Sequence, residues 1–302
     1  MRVLETVMPL FVMLALGMLC RKRSFFSAEG VGALKSLAVN ICLPAVLFSA
    51  FAEAEYTRSA LVVPLIIFAV CIGALGLGFA LCRLFKLQGR LTPYLASGFE
   101  AGMLGYALFA LLFPDESVSA FALVDLGQVL FVFTVYKAML SGKGGVKSAA
   151  REALRSPVLW AIAVGVFFGA SGLYALLGQW GIGKLIAGTA DFIAAPTGAV
   201  ILLTIGYELV PGEIRWRETA AFVALRLAVM AAMLGVMLLL DRFILGGAIH
   251  TGALALLFIL PPPYVLPVFA DMGSERASVT SAISALTLVG ILLFALLTLI
   301  YA

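Results

Sequence analysis

Residues 252–275 read GALALLFILPPPYVLPVFADMGSE, and this stretch decides how the chain is built. An apolar run leads into Pro261, Pro262 and Pro263, with Pro267 four residues further on. Each proline inside a helix removes an amide donor and presses on the preceding turn, at about 3 kcal/mol or more. One proline makes a kink; three in succession predict a true interruption between two half-helices. In hydrocarbon an unpaired backbone group costs several kcal/mol, so irregular backbone survives only where it lines a cavity or packs against protein. The stretch therefore predicts a membrane span broken near its middle beside an internal polar site.

Composition agrees with a membrane setting. The 302 residues are 63% hydrophobic and only 12% charged, and mean hydropathy is +1.14. Globular chains run at about 45–50% apolar and about 25% charged, so a soluble fold is excluded. The 22 Phe and 8 Tyr exclude disorder. The four cysteines, Cys20, Cys42, Cys71 and Cys82, lie in apolar stretches without metal-type spacing, and His250 is the single histidine. No metal site and no cofactor are expected. A net charge of +4 does not indicate nucleic acid, because the basic residues follow topology. A Gly-rich Lys-Ser/Thr loop is missing, which removes an ATPase from consideration.

Working outward from the broken stretch, ten spans are expected, near 3–20, 31–51, 59–82, 92–113, 118–140, 157–177, 184–206, 218–240, 250–271 and 277–301. The first is read as uncleaved, since Arg21-Lys22-Arg23 follow it and only Arg2 precedes it. Of the 20 Lys and Arg, 14 fall in the connections after the odd-numbered spans. Arg2, Arg58, Lys184 and Arg242 fall on the other side, and Lys35 and Arg226 within spans. Excess positive charge marks the cytoplasmic side. A multi-pass protein of the plasma (inner) membrane, with both termini outside, is predicted.

The most basic connection divides the chain into residues 1–142, a loop at 143–156, and residues 157–302. Five spans on each side invert the second half relative to the first, as in inverted-repeat transporters. Asn40-x-x-x-Pro44 in span two then corresponds to Asp191-x-x-x-x-Pro196 in span seven, and span four to span nine. Span four carries Gly98, Gly102 and Gly105 around Glu100. Glycine costs only about 1 kcal/mol against alanine in a helix, but with a proline-broken counterpart it predicts a second break. Free amides and carbonyls at two such breaks would make a site for a charged solute.

Four ionisable residues lie deep in apolar spans: Glu100, Asp125, Asp191 and Arg226. Each is about seven residues in, roughly 10–12 Å from the nearer end, and would cost about 2.5–3.5 kcal/mol facing lipid. All are expected to face the interior. Glu100 is read as a protonatable or substrate-contacting carboxylate, with capping of half-helix amides as its structural alternative. Arg226 is expected to bind a substrate carboxylate or to neutralise Glu100. Asp125, with Gln128 one turn later, is read as a coupling-proton site or a packing group. Asp191 is taken as structural, and Lys35 as snorkelling to the interface without a role.

With these residues in place, the chain resembles the auxin efflux carrier family, which includes plant auxin exporters and bacterial malonate or malate permeases. The resemblance rests on Asn40-Ile-Cys-Leu-Pro44, on the glycine-rich fourth span, and on the proline-rich ninth span followed by a Ser/Thr-rich last helix. It implies an all-α protein of ten transmembrane helices in two inverted five-helix repeats, with broken crossover helices 4 and 9. It also implies a dimerising scaffold of spans 1, 2, 6 and 7 and a moving domain of spans 3–5 and 8–10. Glu100 stands where the family pattern has asparagine and Ala107 where it has proline, which puts the substrate in doubt.

These readings converge on a secondary transporter, not an enzyme, that moves a small organic anion, such as a mono- or dicarboxylate or an auxin-like acid, by elevator-type alternating access. Asn40, Pro44, Glu100, Gly102, Gly105, Pro261, Pro262, Pro263 and Tyr264 are expected at the substrate site. Glu100, Asp125, Gln128 and Arg226 are the candidates for coupling or charge pairing, with the proton preferred to sodium. The alternatives are a sodium-coupled symporter of the bile-acid type and, remotely, an aspartyl hydrolase using Asp125 and Asp191. The remaining partners expected are the lipid bilayer and a second copy of the chain.

Overall fold

The computed structural model describes residues 2–54, 56, 58–141 and 155–301. Within these the chain is helical throughout, without a strand. The helices are α1 (Arg2–Lys22), α2 (Ala28–Ala52), α3 (Arg58–Leu84), α4 (Tyr106–Leu112) and α5 (Ser119–Leu140). In the second half come α6 (Pro157–Ala170), α7 (Leu173–Gln179), α8 (Ile182–Glu208) and α9 (Trp216–Leu245). They are followed by α10 (Thr251–Ile259), α11 (Leu266–Phe269) and α12 (Arg276–Tyr301). Seven segments are long and apolar enough to cross a membrane, and the α6–α7 pair can serve as an eighth. Most of the basic loop expected at 143–156, with Lys143, Lys147 and Arg151, lies outside the described residues.

Local chemistry accounts for the irregularities. Ser27 caps α2 by accepting from the Gly30 amide at 3.0 Å. Further along α2, Pro44 has no amide to offer the Asn40 carbonyl, and the helix widens into a π turn over Ala38–Cys42, where the Leu43 amide reaches back to the Ala38 carbonyl. The span expected over 157–177 is shorter than its apolar run. It ends at Ala170, because Gly172 adopts a left-handed φ of +72° and the chain turns by 69° into α7. Lys137, expected in a loop, is buried at the end of α5 with Nζ 4.7 Å from the Phe269 ring centroid.

Helices approach closely where small residues allow it. At the crossing of α1 and α8, a Cβ on Gly206 would fall on the backbone of Leu14. The α2–α6 and α3–α5 pairs pack as extensively. Connections meet at two opposite ends. At the basic end, Arg90 donates to the Asp271 carbonyl at 2.6 Å, Tyr207 to the Phe26 carbonyl at 3.0 Å, and the Arg215 amide to Ser281 at 2.8 Å. At the other end Tyr174 donates to Glu53 at 3.0 Å, and the Phe113 ring packs against His250 and Tyr301.

Candidate functional site

Two interrupted segments cross inside the bundle. The first leaves a tight turn over Thr92–Ala96, runs without helix through Ser97–Phe99, and re-enters helix through a π turn over Ala101–Gly105 ahead of α4. The second leaves α10 at Leu260, stays non-helical through Pro263, and resumes near α11. At the crossing the Glu100 amide donates to the Pro261 carbonyl at 2.9 Å. Gly98 makes the approach possible: its φ is +67°, and a Cβ there would lie 2.8 Å from Pro263 Cγ. Gly105 likewise leaves no room, since its Cβ would meet Phe121 Cζ at 2.6 Å and Leu260 Cδ1 at 2.8 Å.

The groups freed by the breaks are taken by two charged side chains of the chain itself. Glu100 Oε1 accepts from the Met103 amide at 3.1 Å and Oε2 from the Tyr264 amide. Arg226, on α9, turns its guanidinium to the carbonyls on the other side of both breaks. Nη1 donates to Leu95 at 2.7 Å, Nη2 to Gly98 at 2.8 Å and to Leu260 at 2.7 Å, and Nε to Leu260 at 3.2 Å. Arg226 is 2% exposed and Glu100 8%. The anion sits on amides at half-helix starts and the cation on carbonyls at half-helix ends, which is the placement that the helix dipoles favour. A carboxylate offers two acceptors to two amides, which suits glutamate at position 100.

This geometry corrects two expectations. The backbone groups assigned to a charged solute are already engaged, so a solute does not find them free. Arg226 spends its donors on three carbonyls and makes no ion pair with Glu100. Among the described residues, the ion pairs formed are Lys35–Glu208 at 3.0 Å and Arg215–Glu218 at 3.2 Å.

Three cavities surround the crossing. One of about 420 Å³ lies against it, lined by Lys35, Ser36, Asn40, Glu100, Gly102, Asp125, Gln128, Pro263 and Tyr264 together with apolar side chains. A second, of about 450 Å³, opens towards the basic end and is lined by Arg21, Lys35, Glu208, Tyr264, Arg276, Thr280, Ser284 and Thr287. Tyr264 and Lys35 border both. The Tyr264 hydroxyl is 2.9 Å from Thr287 Oγ1. A third, of about 770 Å³, opens at the opposite end and carries Glu53, Asp115, Glu116 and Asp191 with Tyr106 at its floor.

The central cavity gathers Asn40, Glu100, Gly102, Asp125, Gln128, Pro263 and Tyr264 from the expected set. Pro44, Gly105, Pro261 and Pro262 do not line it. On α2 the cavity-facing positions Ser36, Asn40, Leu43 and Leu47 follow three- and four-residue spacing, which turns Pro44 to the flank. Asp191, expected to face the interior, is exposed at the acidic mouth. Asp125 is 1% exposed; it accepts from the Tyr106 hydroxyl at 2.9 Å and from Gln128 at 3.1 Å. Among the described residues its oxygens bond to no second carboxyl, so Asp125 and Asp191 do not form the shared-proton pair of an aspartyl hydrolase.

Sequence reasoning gives Lys35 no role, takes Thr287 only as part of the Ser/Thr-rich last helix, and does not single out Tyr106. Lys35 Nζ pairs with Glu208, 173 residues away, at 3.0 Å. Tyr106 finds Asp125 on another helix. Partners so remote leave no local pattern. The one usable signal was the polar column of Thr280, Ser284 and Thr287 at helical spacing on α12.

Comparison with known proteins adds two findings. The model of the family described as "Membrane transport protein" matches residues 2–302. A protein of Methanothermobacter thermautotrophicus described as "Uncharacterized transporter" is 24% identical over 213 residues, covering 68% of this chain and 67% of its own.

Proposed function

We propose, from the premise that the chain belongs to the membrane transport protein family, that of the auxin efflux carriers, that it is a secondary transporter moving a small organic anion by alternating access. The observation that carries this reading is the bonded crossing of Glu100 and Pro261 at depth, with a cavity against it and one opening at each end. A carrier needs a site reachable from both sides in turn, and broken helices at the bilayer midplane are where such sites form.

In this reading α1 and the proline-broken α10–α11 bring the eight candidate spans to ten, as two inverted halves around residues 143–156. The basic end faces the cytoplasm of the plasma (inner) membrane, with both termini outside. Helices α1, α2, α6 and α8 form a scaffold, paired with that of a second copy. The remaining helices carry the crossing past it in an elevator movement. Lys35, which borders two cavities, is the cationic partner of the substrate carboxylate, released from Glu208 when substrate binds. Asn40 and Tyr264 line its path.

Arg226 also bears on the coupling ion. Carbonyls freed by a broken helix are the ligands that a sodium ion takes in such folds, and here a guanidinium bonds to those of Leu95, Gly98 and Leu260. A proton is therefore the coupling ion proposed.

The test is counterflow in liposomes loaded with malonate and presented with labelled mono- and dicarboxylates. Exchange of at least one acid is expected, with Lys35→Ala slowing it about tenfold, the equivalent of about 1.4 kcal/mol for one charge-assisted contact. Dependence on sodium would favour the symporter alternative, and no exchange of any acid would overturn the anion reading.

A further inference from the structure

A chain of polar groups joins the cavity at the acidic end to the central one. Tyr106 borders the acidic-end cavity, and its hydroxyl donates to Asp125 Oδ2 at 2.9 Å. Asp125 and Gln128 border the central cavity. Gln128 Nε2 donates both to Asp125 Oδ1 at 3.1 Å and to the Phe99 carbonyl at 3.0 Å. Among the described residues its Oε1 has no hydrogen-bond partner, although Gln128 is only 4% exposed, an uncommon state for a buried acceptor.

The two carboxylates of the central cavity differ in what binds them. Glu100 is held by two backbone amides, donors that cannot turn round, so a proton added to it weakens both bonds and finds no acceptor in either partner. Asp125 is held by a hydroxyl and a primary amide, and the hydroxyl can reverse. The Tyr106 hydroxyl can rotate to accept from a protonated Oδ2, while Gln128 goes on donating to Oδ1 and to the Phe99 carbonyl. Asp125 can therefore gain or lose a proton with its surroundings intact, whereas Glu100 cannot.

We propose that Asp125 is the exchangeable-proton site of the carrier and that Tyr106 connects it to the acidic-end cavity. This rests on the carrier reading above and replaces Glu100 as the coupling group. In the step, a hydronium ion in that cavity protonates the Tyr106 oxygen while Tyr106 passes its own proton to Asp125 Oδ2. One O–H bond of Tyr106 breaks and one forms, Asp125 becomes neutral, and water is left behind. Rotation of the hydroxyl resets the relay.

The other charged or titratable groups facing Asp125 are few. Glu100 from the first break acts on it electrostatically, and Asp125 in turn acts on the Cys71 thiol of α3. Residues Thr251–Ile259 of α10 and 43–52 of α2, which pack on α5, contain no titratable side chain. With Asp125 ionised the central cavity holds two carboxylates beside Lys35, and an anionic substrate is repelled. With Asp125 neutral one remains, already tied to amides. Proton uptake thereby admits the anion.

Infrared difference spectra of the purified full chain between acid and alkaline buffer test the assignment without a substrate. A protonated-carboxyl C=O band is expected in the wild type and in Glu100→Gln, and is expected to vanish in Asp125→Asn. In Tyr106→Phe the band should persist but appear at least tenfold more slowly after a pH jump. A band that survives in Asp125→Asn, or that is lost only in Glu100→Gln, overturns the proposal. In malonate-loaded liposomes, an inward proton gradient should accelerate counterflow by the wild type and leave the rate of Asp125→Asn, whatever its value without a gradient, unchanged. Loss of the infrared band in Asp125→Asn, together with no transport of any acid by the wild type, would refute the carrier reading and leave the proton site standing.

Discussion

Arg226 and Glu100 show how a single side chain can hold an interrupted membrane segment. A buried carbonyl without a donor costs about 1–3 kcal/mol, and Arg226 satisfies three. Arg226→Ala is expected to lower stability by about 3–5 kcal/mol, read as early thermal unfolding in detergent. Arg226→Lys should recover only part, because one ammonium cannot copy a planar fork. Glu100→Gln keeps one acceptor and turns an NH2 towards the second amide, so a loss of about 1–3 kcal/mol is expected. At this scale the sequence was partly legible. Depth within apolar runs marked Glu100, Asp125 and Arg226 as inward-facing, because hydrocarbon makes the alternative expensive. It could not reveal their bonding, since the carbonyls of Leu95 and Gly98 lie 131 and 128 residues from Arg226.

Elements carry the next set of constraints. The break after α10 was legible because three prolines permit nothing else, and the break before α4 because glycines surround Glu100. The bend after α6 was not, since Ser171-Gly172 interrupts an apolar run without a proline. The π turn in α2 follows from Pro44. Pro44→Ala should restore the missing donor and let the helix tighten, turning Asn40 away from the cavity. The check is maleimide labelling of Asn40→Cys with the four native cysteines replaced, where a slower rate is expected in the Pro44→Ala background. At the α1–α8 crossing, Gly206→Leu should push the helices apart and lower the yield of folded protein. Gly212→Ala, with nothing within 4 Å of the added carbon, should be neutral.

For the whole molecule, charge orders the two ends. Arg21, Arg90, Arg215 and Arg276 gather at one end, and Glu53, Asp115, Glu116 and Asp191 at the other. This was legible because basic loops follow the membrane's sidedness. Single cysteines should report it: an impermeant maleimide is expected to label Glu116→Cys in intact cells, and Arg23→Cys only after permeabilisation. The crossing has one more consequence for the working cycle. In the proposed elevator movement Glu100 and Arg226 would travel with the breaks they neutralise, so that an unloaded site would drag no naked backbone dipole through the lipid. The return stroke then needs no passenger, and the carrier should sustain net flux down a gradient with the far compartment empty, not obligatory one-for-one swapping.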